Sequence, residues 1–284
     1  MKATAQLQNN SIGAFVTPAP VVTGNDTQQL RLHHFLSRSR ANGPGVRAVI
    51  WVQGCTLACP GCFNAPTHPK AGGEGFVSVD ELFARIVALG HTIEGITISG
   101  GEPLQQLEPV AALIRRVKAE TKLSVVLFTG FYWSELEQIG QTEYRRHLSQ
   151  TSSYQEQAIV PSQFPVGTFA DATISTSSRS IKAQVGEAGA IEEIELATQM
   201  PLPVLEDVDV LIAGRYRQTR HLAQDLRGSA NKTTYYLTER YSPADMQAVP
   251  PAEVTITPQG HVILSGIDPL SFNQAQIKAV SDIG

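Results

Sequence analysis

The sequence contains no apolar run that approaches the length of a membrane span. A helix needs about 20 consecutive apolar residues to cross a bilayer, and no run in this 284-residue chain comes close to that. The amino-terminal stretch MKATAQLQNNS also lacks the apolar segment of a secretory signal. We therefore expect a cytoplasmic protein without a membrane partner.

Charged residues are scarce, and no basic cluster is present. They make up 17% of the chain, the formal net charge is −4 at pH 7, and the lysines and arginines are scattered. A nucleic-acid binder concentrates its basic residues on one face or stripe, so nucleic acid is not an expected partner. The 42% hydrophobic content is that of an ordinary globular protein, and the length suits one sizeable catalytic domain.

Cysteine is nearly absent. The chain has three cysteines, Cys55, Cys59 and Cys62, and they lie within eight residues of one another. They are too close together, and odd in number, for a disulfide framework, and a reducing cytoplasm does not favour one. Their role therefore lies in metal or thiol chemistry.

Much of the chain alternates between strands and helices. This order predicts an α/β fold with a parallel sheet, whose ligands bind at the carboxyl ends of the strands. The cysteines directly follow the first strand of this series. Apolar runs predict strands at 46–52, 95–99 and 123–128, and helical spacing predicts helices after an N-cap at Ser78, over 107–120 and over 133–147.

Two parts of the chain interrupt this alternation. Residues 1–30 are polar and contain two prolines, which indicates a loosely ordered leader before a domain that spans 31–284. Residues 150–200 have no sustained apolar period and contain no cysteine or histidine. We interpret this second range as an insertion that acts as a cap or a docking element for a partner. Strands at 208–212 and 233–237 and a hairpin over 254–264 follow it.

The spacing C-x3-C-x2-C lets three thiolates of one short loop point toward a common centre. A [4Fe–4S] cluster normally takes four cysteines, so a cluster here keeps one iron open to a non-protein ligand. A structural zinc site that adds His68 is the rival interpretation, although zinc loops usually pair their cysteines with a distant second pair. A second motif, Ser99-Gly-Gly-Glu-Pro103, ends the next strand. Taken alone, such a motif is more often a strand-to-helix connection than a cofactor site.

The two motifs, in this order, resemble those of the radical S-adenosylmethionine superfamily. In that superfamily the open iron binds the methionine part of the cofactor, and the glycine-rich loop approaches its amino group. The resemblance narrows to the glycyl-radical activases, and among them to the activating proteins of anaerobic ribonucleotide reductase. Six segments carry it: Asn42-Gly-Pro-Gly-Val-Arg47, Trp51-Val-Gln-Gly-Cys55, Cys59-Pro-Gly-Cys-Phe-Asn64, Phe128-Thr-Gly-Phe131, Asp209-Val-Leu-Ile-Ala-Gly214 and Arg227-Gly-Ser-Ala-Asn231.

The resemblance implies a partial (β/α)6 barrel with an insertion and with the cofactors at its open top. It also implies that a reduced [4Fe–4S] cluster cleaves S-adenosylmethionine to methionine and a 5′-deoxyadenosyl radical, which removes a hydrogen atom from the target. The implied cluster ligands are Cys55, Cys59 and Cys62, and no other catalytic residue is implied. The implied cofactor-binding residues are Gly61, Phe63, Gly100, Gly101, Glu102, Thr129 and Gly130.

For partners, the resemblance implies a glycyl-radical enzyme as protein substrate and a flavodoxin- or ferredoxin-type electron donor. No cysteine remains for an auxiliary cluster of the kind that peptide-modifying relatives carry, which favours an activase. Two alternatives stay open: a radical enzyme that modifies a peptide or small molecule, and a non-catalytic iron–sulfur or zinc protein. At position 213 this chain has alanine, where many relatives have an acidic residue. Arg47 is expected either to contact a cofactor carboxylate or to form a surface ion pair.

Overall fold

The computed structural model describes residues 28–142, 179–196, 200–256, 260 and 262–267. The strands of these residues form one large mixed sheet of nine strands and two small sheets of two strands each. In chain order they are β1 (Gln29–Ser39), β2 (Arg47–Val52), β3 (Gly75–Ser78), β4 (Gly95–Gly100), β5 (Ser124–Phe128), β6 (Arg179–Val185), β7 (Ala190–Leu196), β8 (Val210–Ala213), β9 (His221–Gln224), β10 (Arg227–Ser229), β11 (Thr233–Tyr236), β12 (Ala252–Ile256) and β13 (Val262–Gly266).

Four neighbouring strands, β2, β4, β5 and β8, form the parallel centre of the large sheet. Their side chains are almost all buried, as a strand covered on both faces requires. Because parallel strands end at the same edge of a sheet, the segments that follow Val52, Gly100, Phe128 and Ala213 meet there. This edge carries the functional site.

The helices cover the parallel strands with apolar faces. Helix α1 (Val79–Val87) begins where expected, because the Oγ of Ser78 accepts a hydrogen bond from the Glu81 amide at 3.1 Å. Helix α2 (Leu107–Glu120) has the bounds that helical spacing predicts. Helix α3 is described over 133–142, and α4 (Pro243–Gln247) is short. None of the described helices has the length and apolar character of a membrane span.

The outer strands of the large sheet are antiparallel, which corrects part of the sequence-based expectation. The described residues contain four parallel strands, fewer than a (β/α)6 barrel implies, because β11 runs antiparallel to β8. A parallel return needs a long crossover, usually a helix. The chain between β8 and β11 instead forms the β9–β10 hairpin. The expected hairpin near the carboxyl terminus is present as the separate β12–β13 sheet.

The described part of the range 150–200 belongs to the large sheet. Strands β6 and β7 form a hairpin, and β6 pairs with β11 through Gln184 and Thr234. The hairpin therefore extends the sheet by two strands. The remaining residues of this range, 150–178 and 197–199, lie outside the described residues, as do residues 1–27 of the expected leader.

Arg47 lies at the amino end of β2, away from the cysteine loop, and meets neither of its expected partners. It is fully buried. Its Nε donates to Thr97 Oγ1 at 2.8 Å, its Nη2 to the Ile96 carbonyl at 2.6 Å and its Nη1 to Ser124 Oγ at 2.9 Å. Arg47 thus joins the amino ends of three parallel strands, and burial lowers the pKa of its guanidinium.

Candidate functional site

A pocket lies at the carboxyl ends of the parallel strands. Segments that are far apart in sequence line it: the loop after β2, the loop after β4, the end of β5 and the residue before β11. This is the position at which α/β proteins generally bind ligands. Residues on its wall include Cys55, Cys59, Cys62, Phe63, Gly100, Gly101, Glu102, Thr129, Gly130 and Lys232.

The cysteine loop is held by backbone hydrogen bonds at both of its ends. The amides of Gly54 and Cys55 donate to the carbonyls of Thr67 and His68 at 2.7 and 3.0 Å. Within the loop, the Cys62 amide donates to the Cys59 carbonyl at 3.2 Å. Ala58 has a φ of 45°, in the left-handed region that side chains other than glycine rarely adopt. The turn between the first two cysteines is therefore tight and fixed.

The three thiols are free, partly buried and near one another. Burial raises the pKa of Cys55 and of Cys62, and the neighbouring thiols raise both pKa values further. Within the described ranges, no three His, Cys, Asp or Glu side chains are gathered closely enough to hold a single metal ion. A cubane cluster distributes its thiolates over separate irons. All three thiols line one pocket, as a cluster held by Cys55, Cys59 and Cys62 requires.

The glycines of the second motif pack directly against the cysteine loop. A Cβ on Gly100 would lie 2.5 Å from the Val52 amide nitrogen, and one on Gly101 would lie 2.3 Å from the Gly54 carbonyl oxygen. The Gly101 amide donates to the Val52 carbonyl at 2.8 Å, and the Glu102 amide donates to the Gly54 carbonyl at 3.0 Å. Glycine is required here because two backbones meet, and the same residues line the pocket.

Glu102 ties the loop after β4 to the end of β5. It is 1% exposed, and its carboxylate accepts from the Leu104 amide, Thr129 Oγ1 and the Gly130 amide at 3.0, 2.8 and 2.7 Å. Burial raises the pKa of Glu102, while the three donated hydrogen bonds act in the opposite direction. Glu102 therefore fixes Thr129 and Gly130 at the pocket wall.

Phe63 and Gly61 occupy different positions. The Phe63 ring lines the pocket and meets the Tyr216 ring edge-on, with centroids 5.4 Å apart. Gly61 is exposed and is not part of the pocket wall. A Cβ on Gly61 would lie 2.4 Å from Gln218 Oε1, and its φ of 69° favours glycine. The structure thus brings together all the site residues expected from the sequence except Gly61.

Known proteins match part of this chain, and the family model covers the cysteine loop, the glycine-rich loop and the end of β5. A family model described as a 4Fe-4S single cluster domain matches residues 41–153. The anaerobic ribonucleoside-triphosphate reductase-activating protein of Salmonella typhi is 33% identical over 112 residues, which are 38% of this chain and 73% of that protein. The chain therefore belongs to the family of anaerobic ribonucleoside-triphosphate reductase-activating proteins.

Two further similarities are more partial than the match to the activating proteins. The pyruvate formate-lyase 1-activating enzyme of Escherichia coli K12 is 36% identical over 94 residues, 32% of this chain and 38% of that enzyme. The solved structure of QueE from Escherichia coli shares 20% identity with a TM-score of 0.30, over 36% of this chain and 53% of that one.

As a member of the activating-protein family, the protein is a radical S-adenosylmethionine enzyme whose cofactors are a [4Fe–4S] cluster and S-adenosylmethionine. The pocket of this activating protein fits both groups. All three thiols line the pocket, and the chain has no fourth cysteine, so a cluster held by these thiols would leave one iron for the second cofactor. The backbone of Gly100 and Gly101 lines the same pocket, next to the ends of β4 and β5.

Several residues that build the site of this activating protein were not singled out from the sequence. Gln53 is 1% exposed, and its Nε2 donates to the Pro69 carbonyl at 2.6 Å, while its Oε1 accepts from His33 Nδ1 at 2.6 Å. It secures the segment that pairs with the cysteine loop. In the sequence, the indication of a role for Gln53 was its position within Trp51-Val-Gln-Gly-Cys55, one of the segments that carry the family resemblance.

Arg215 holds the end of β5 from the other side. Its guanidinium binds both carboxylate oxygens of Glu135, at 2.5 and 2.8 Å, and donates to the Gly130 carbonyl at 2.7 Å. This pairing lowers the pKa of Glu135. Lys232 also lines the pocket, and it directly follows the motif Arg227-Gly-Ser-Ala-Asn231. Neither residue could be placed from spacing alone, because both reach the site through tertiary packing.

Proposed function

We propose that Cys55, Cys59 and Cys62 each bind one iron of the [4Fe–4S] cluster and leave the fourth iron to S-adenosylmethionine. The observation that carries this proposal is the joint presence of all three thiols and the glycine-rich loop on one pocket. The absence of a fourth cysteine from the whole sequence supports it further. The tight turn at Ala58 and the backbone bonds of the loop hold the thiols before the cluster binds.

When bound and reduced, the cluster supplies the electron that cleaves S-adenosylmethionine to methionine and a 5′-deoxyadenosyl radical. The chain binds and orients the reactants. Gly100 and Gly101 offer bare backbone to the methionine part, and Glu102 keeps Thr129 and Gly130 in place beside it. Phe63 offers an aromatic surface for the adenine.

The target we propose is a protein, a glycyl-radical enzyme of the anaerobic ribonucleotide reductase type. The names of the similar proteins support this target, since they are activating proteins of two enzymes. A flavodoxin- or ferredoxin-type protein is the proposed electron donor. A large partner must approach the carboxyl edge of the sheet, where the pocket lies.

Two architectural proposals accompany this function. The four parallel strands form a partial barrel with fewer strands than a (β/α)6 barrel, a proposal that the strand–helix–strand order of β2 through β5 supports. The chain is one domain over 31–284 whose range 150–200 is an insertion that docks the partner. The hairpin β6–β7 at the end of the sheet supports the second proposal, because it stands apart from the pocket wall.

The test uses the full chain, reconstituted anaerobically with iron and sulfide and then reduced. We expect about four irons per chain, a [4Fe–4S]+ electron paramagnetic resonance signal, and 5′-deoxyadenosine formation from S-adenosylmethionine. Cys59→Ala should abolish this cleavage, while Thr56→Ala, a change at an exposed position in the same loop, should retain it. Stoichiometric zinc without iron, or full cleavage by Cys59→Ala, would contradict the cluster assignment.

The partner is tested in the same preparation. Anaerobic ribonucleotide reductase mixed with the reduced protein and S-adenosylmethionine should gain the doublet signal of a glycyl radical. Consumption of the deoxyadenosyl radical by a peptide or small molecule, with no doublet in the reductase, would favour the alternative that the sequence left open. Cleavage of S-adenosylmethionine by the wild-type protein without the reductase shows that the cofactor site is functional, so that a missing doublet then contradicts only the proposed partner.

A further inference from the structure

Lys232 is a cation on the wall of the cofactor pocket, and the proposed mechanism gives it no role. It stands directly before β11, where its amide donates to the Ser229 carbonyl at 3.0 Å. Its Nζ donates to the Gly214 carbonyl at 2.5 Å. That carbonyl follows β8, so the amine is directed to the carboxyl edge of the sheet rather than to solvent. Lys232 shares the pocket wall with Cys59, Cys62 and Glu102.

Lys232 is the single lysine or arginine on that wall among the residues the structure describes. Arg215 lies nearby, but its guanidinium is engaged by both carboxylate oxygens of Glu135. No carboxylate of the described ranges forms an ion pair with Lys232, whose Nζ donates instead to the neutral Gly214 carbonyl. Among the described residues, its positive charge therefore has no direct ion-pair partner.

The negative groups of the pocket act on this amine. Burial lowers the pKa of Lys232, whereas Glu102, Cys59 and Cys62 raise it. Lys232 in turn lowers the pKa of Cys62. Two of the three proposed cluster ligands thus lie within electrostatic reach of one partly buried cation, in surroundings where charges are screened less than in water.

We propose that Lys232 raises the reduction potential of the [4Fe–4S] cluster by placing its charge beside Cys59 and Cys62. The inference rests on the proposed ligation by these cysteines. An external one-electron donor reduces the cluster without breaking a thiolate bond, so the thiolate-bound group becomes one charge more negative. A nearby cation stabilises the more negative state. Lys232 therefore makes the one-electron reduction of the cluster easier. A negative charge on Glu102 has the opposite effect on the reduction potential.

The experiment compares the reconstituted wild-type protein with Lys232→Met, Lys232→Gln and Lys232→Arg. Each midpoint potential is measured by a redox titration that follows the [4Fe–4S]+ signal, without S-adenosylmethionine. We expect both neutral variants to lose about tenfold in the equilibrium constant for reduction, which is 59 mV for a one-electron couple. Lys232→Arg keeps the charge and should stay close to the wild type.

Lys122→Met is the matched control, because Lys122 is exposed and precedes β5 at the opposite end of the sheet. It should leave the potential unchanged. The Gln variant retains a donor for the Gly214 carbonyl, so a shift shared by Met and Gln reports the charge rather than the lost hydrogen bond. Iron content and circular dichroism of every variant show whether cluster and fold are intact.

Three outcomes would overturn the proposal. An unchanged potential in fully loaded Lys232→Met and Lys232→Gln shows that the charge does not act on the cluster. An unchanged potential with weaker S-adenosylmethionine binding by calorimetry assigns Lys232 to the carboxylate of that cofactor. Loss of the cluster from both neutral variants, with normal loading of Lys232→Arg, assigns the charge to cluster binding. A wild-type protein that binds no cluster refutes the proposed function instead.

Discussion

Replacement of Gly101 by alanine is predicted to loosen the cysteine loop as well as the glycine-rich loop. The added Cβ would lie 2.3 Å from the Gly54 carbonyl oxygen, and ordinary contacts begin at 3.4 Å. The two backbones must therefore separate by about 1 Å. That movement strains the bonds from Gly101 to Val52 and from Glu102 to Gly54, which are 2.8 and 3.0 Å long.

The expected cost follows from these contacts. Overpacking in a dense region costs about 1–3 kcal/mol, and two weakened hydrogen bonds add about 1 kcal/mol each. A loss of roughly 3–5 kcal/mol leaves a protein of ordinary stability folded but lowers its melting temperature by roughly 6–20 °C. Because the displaced backbone carries Cys55, iron retention should fall together with affinity for S-adenosylmethionine.

The assay combines thermal unfolding, iron content after challenge with a chelator, and calorimetry with S-adenosylmethionine. Gly90→Ala is the control, since a Cβ there meets nothing within 4 Å although its φ is +55°. It measures the cost of a strained backbone without a contact between loops. If Gly101→Ala melts like the wild type and retains its iron, the close approach of the two loops is refuted.

Three further predictions concern residues around the pocket and beneath the sheet. Gln53→Ala should lose about 1–3 kcal/mol of stability and release iron faster to a chelator, because three carbonyls lose their shared donor; unchanged release would contradict its anchoring role. Arg47→Met should lower the melting temperature yet leave the cleavage of S-adenosylmethionine per folded molecule unchanged, which a cofactor-binding arginine would not do. The pKa of Glu135 is lowered by Arg215, so the stability that this pair adds is present above the ordinary glutamate pKa of 4.5 and is lost as pH falls through the lower, folded-state pKa. The free energy of unfolding, measured against pH, should fall less on acidification in Glu135→Gln than in the wild type. Identical pH profiles of the two proteins would exclude a contribution of this pair to stability.

Local sequence signals predicted a large part of the fold. The Ser78 cap, the bounds of α2 and the apolar runs of β2, β4 and β5 were all confirmed. Each depends on interactions within a few residues, such as capping, helical spacing or a run that is buried on both faces. The same applies to the cysteine spacing, which is a property of one short loop.

Long-range pairing was not predictable in the same way. Strand β1 was not recognised, because the segment Gln29–Ser39 mixes charged and apolar residues without clean alternation and is stabilised by pairing with β2 and β3. The direction of β11 depends on the path of the chain between β8 and β11, and no local sequence pattern predicts that path. Register and direction arise from the partner strand rather than from the strand itself.

By itself, the sequence determined the family and its cofactors: the cysteine loop and the glycine-rich loop at the next strand end resemble those of the radical S-adenosylmethionine superfamily, and the similar proteins confirm this resemblance. Only the tertiary structure decided which side chains surround them. It placed Arg47 at the amino ends of the strands, outside the pocket wall, and it brought Lys232 onto that wall. The physical reason is that ligand type and spacing are encoded within a loop, whereas the charge around that loop comes from segments that meet only when the sheet has formed.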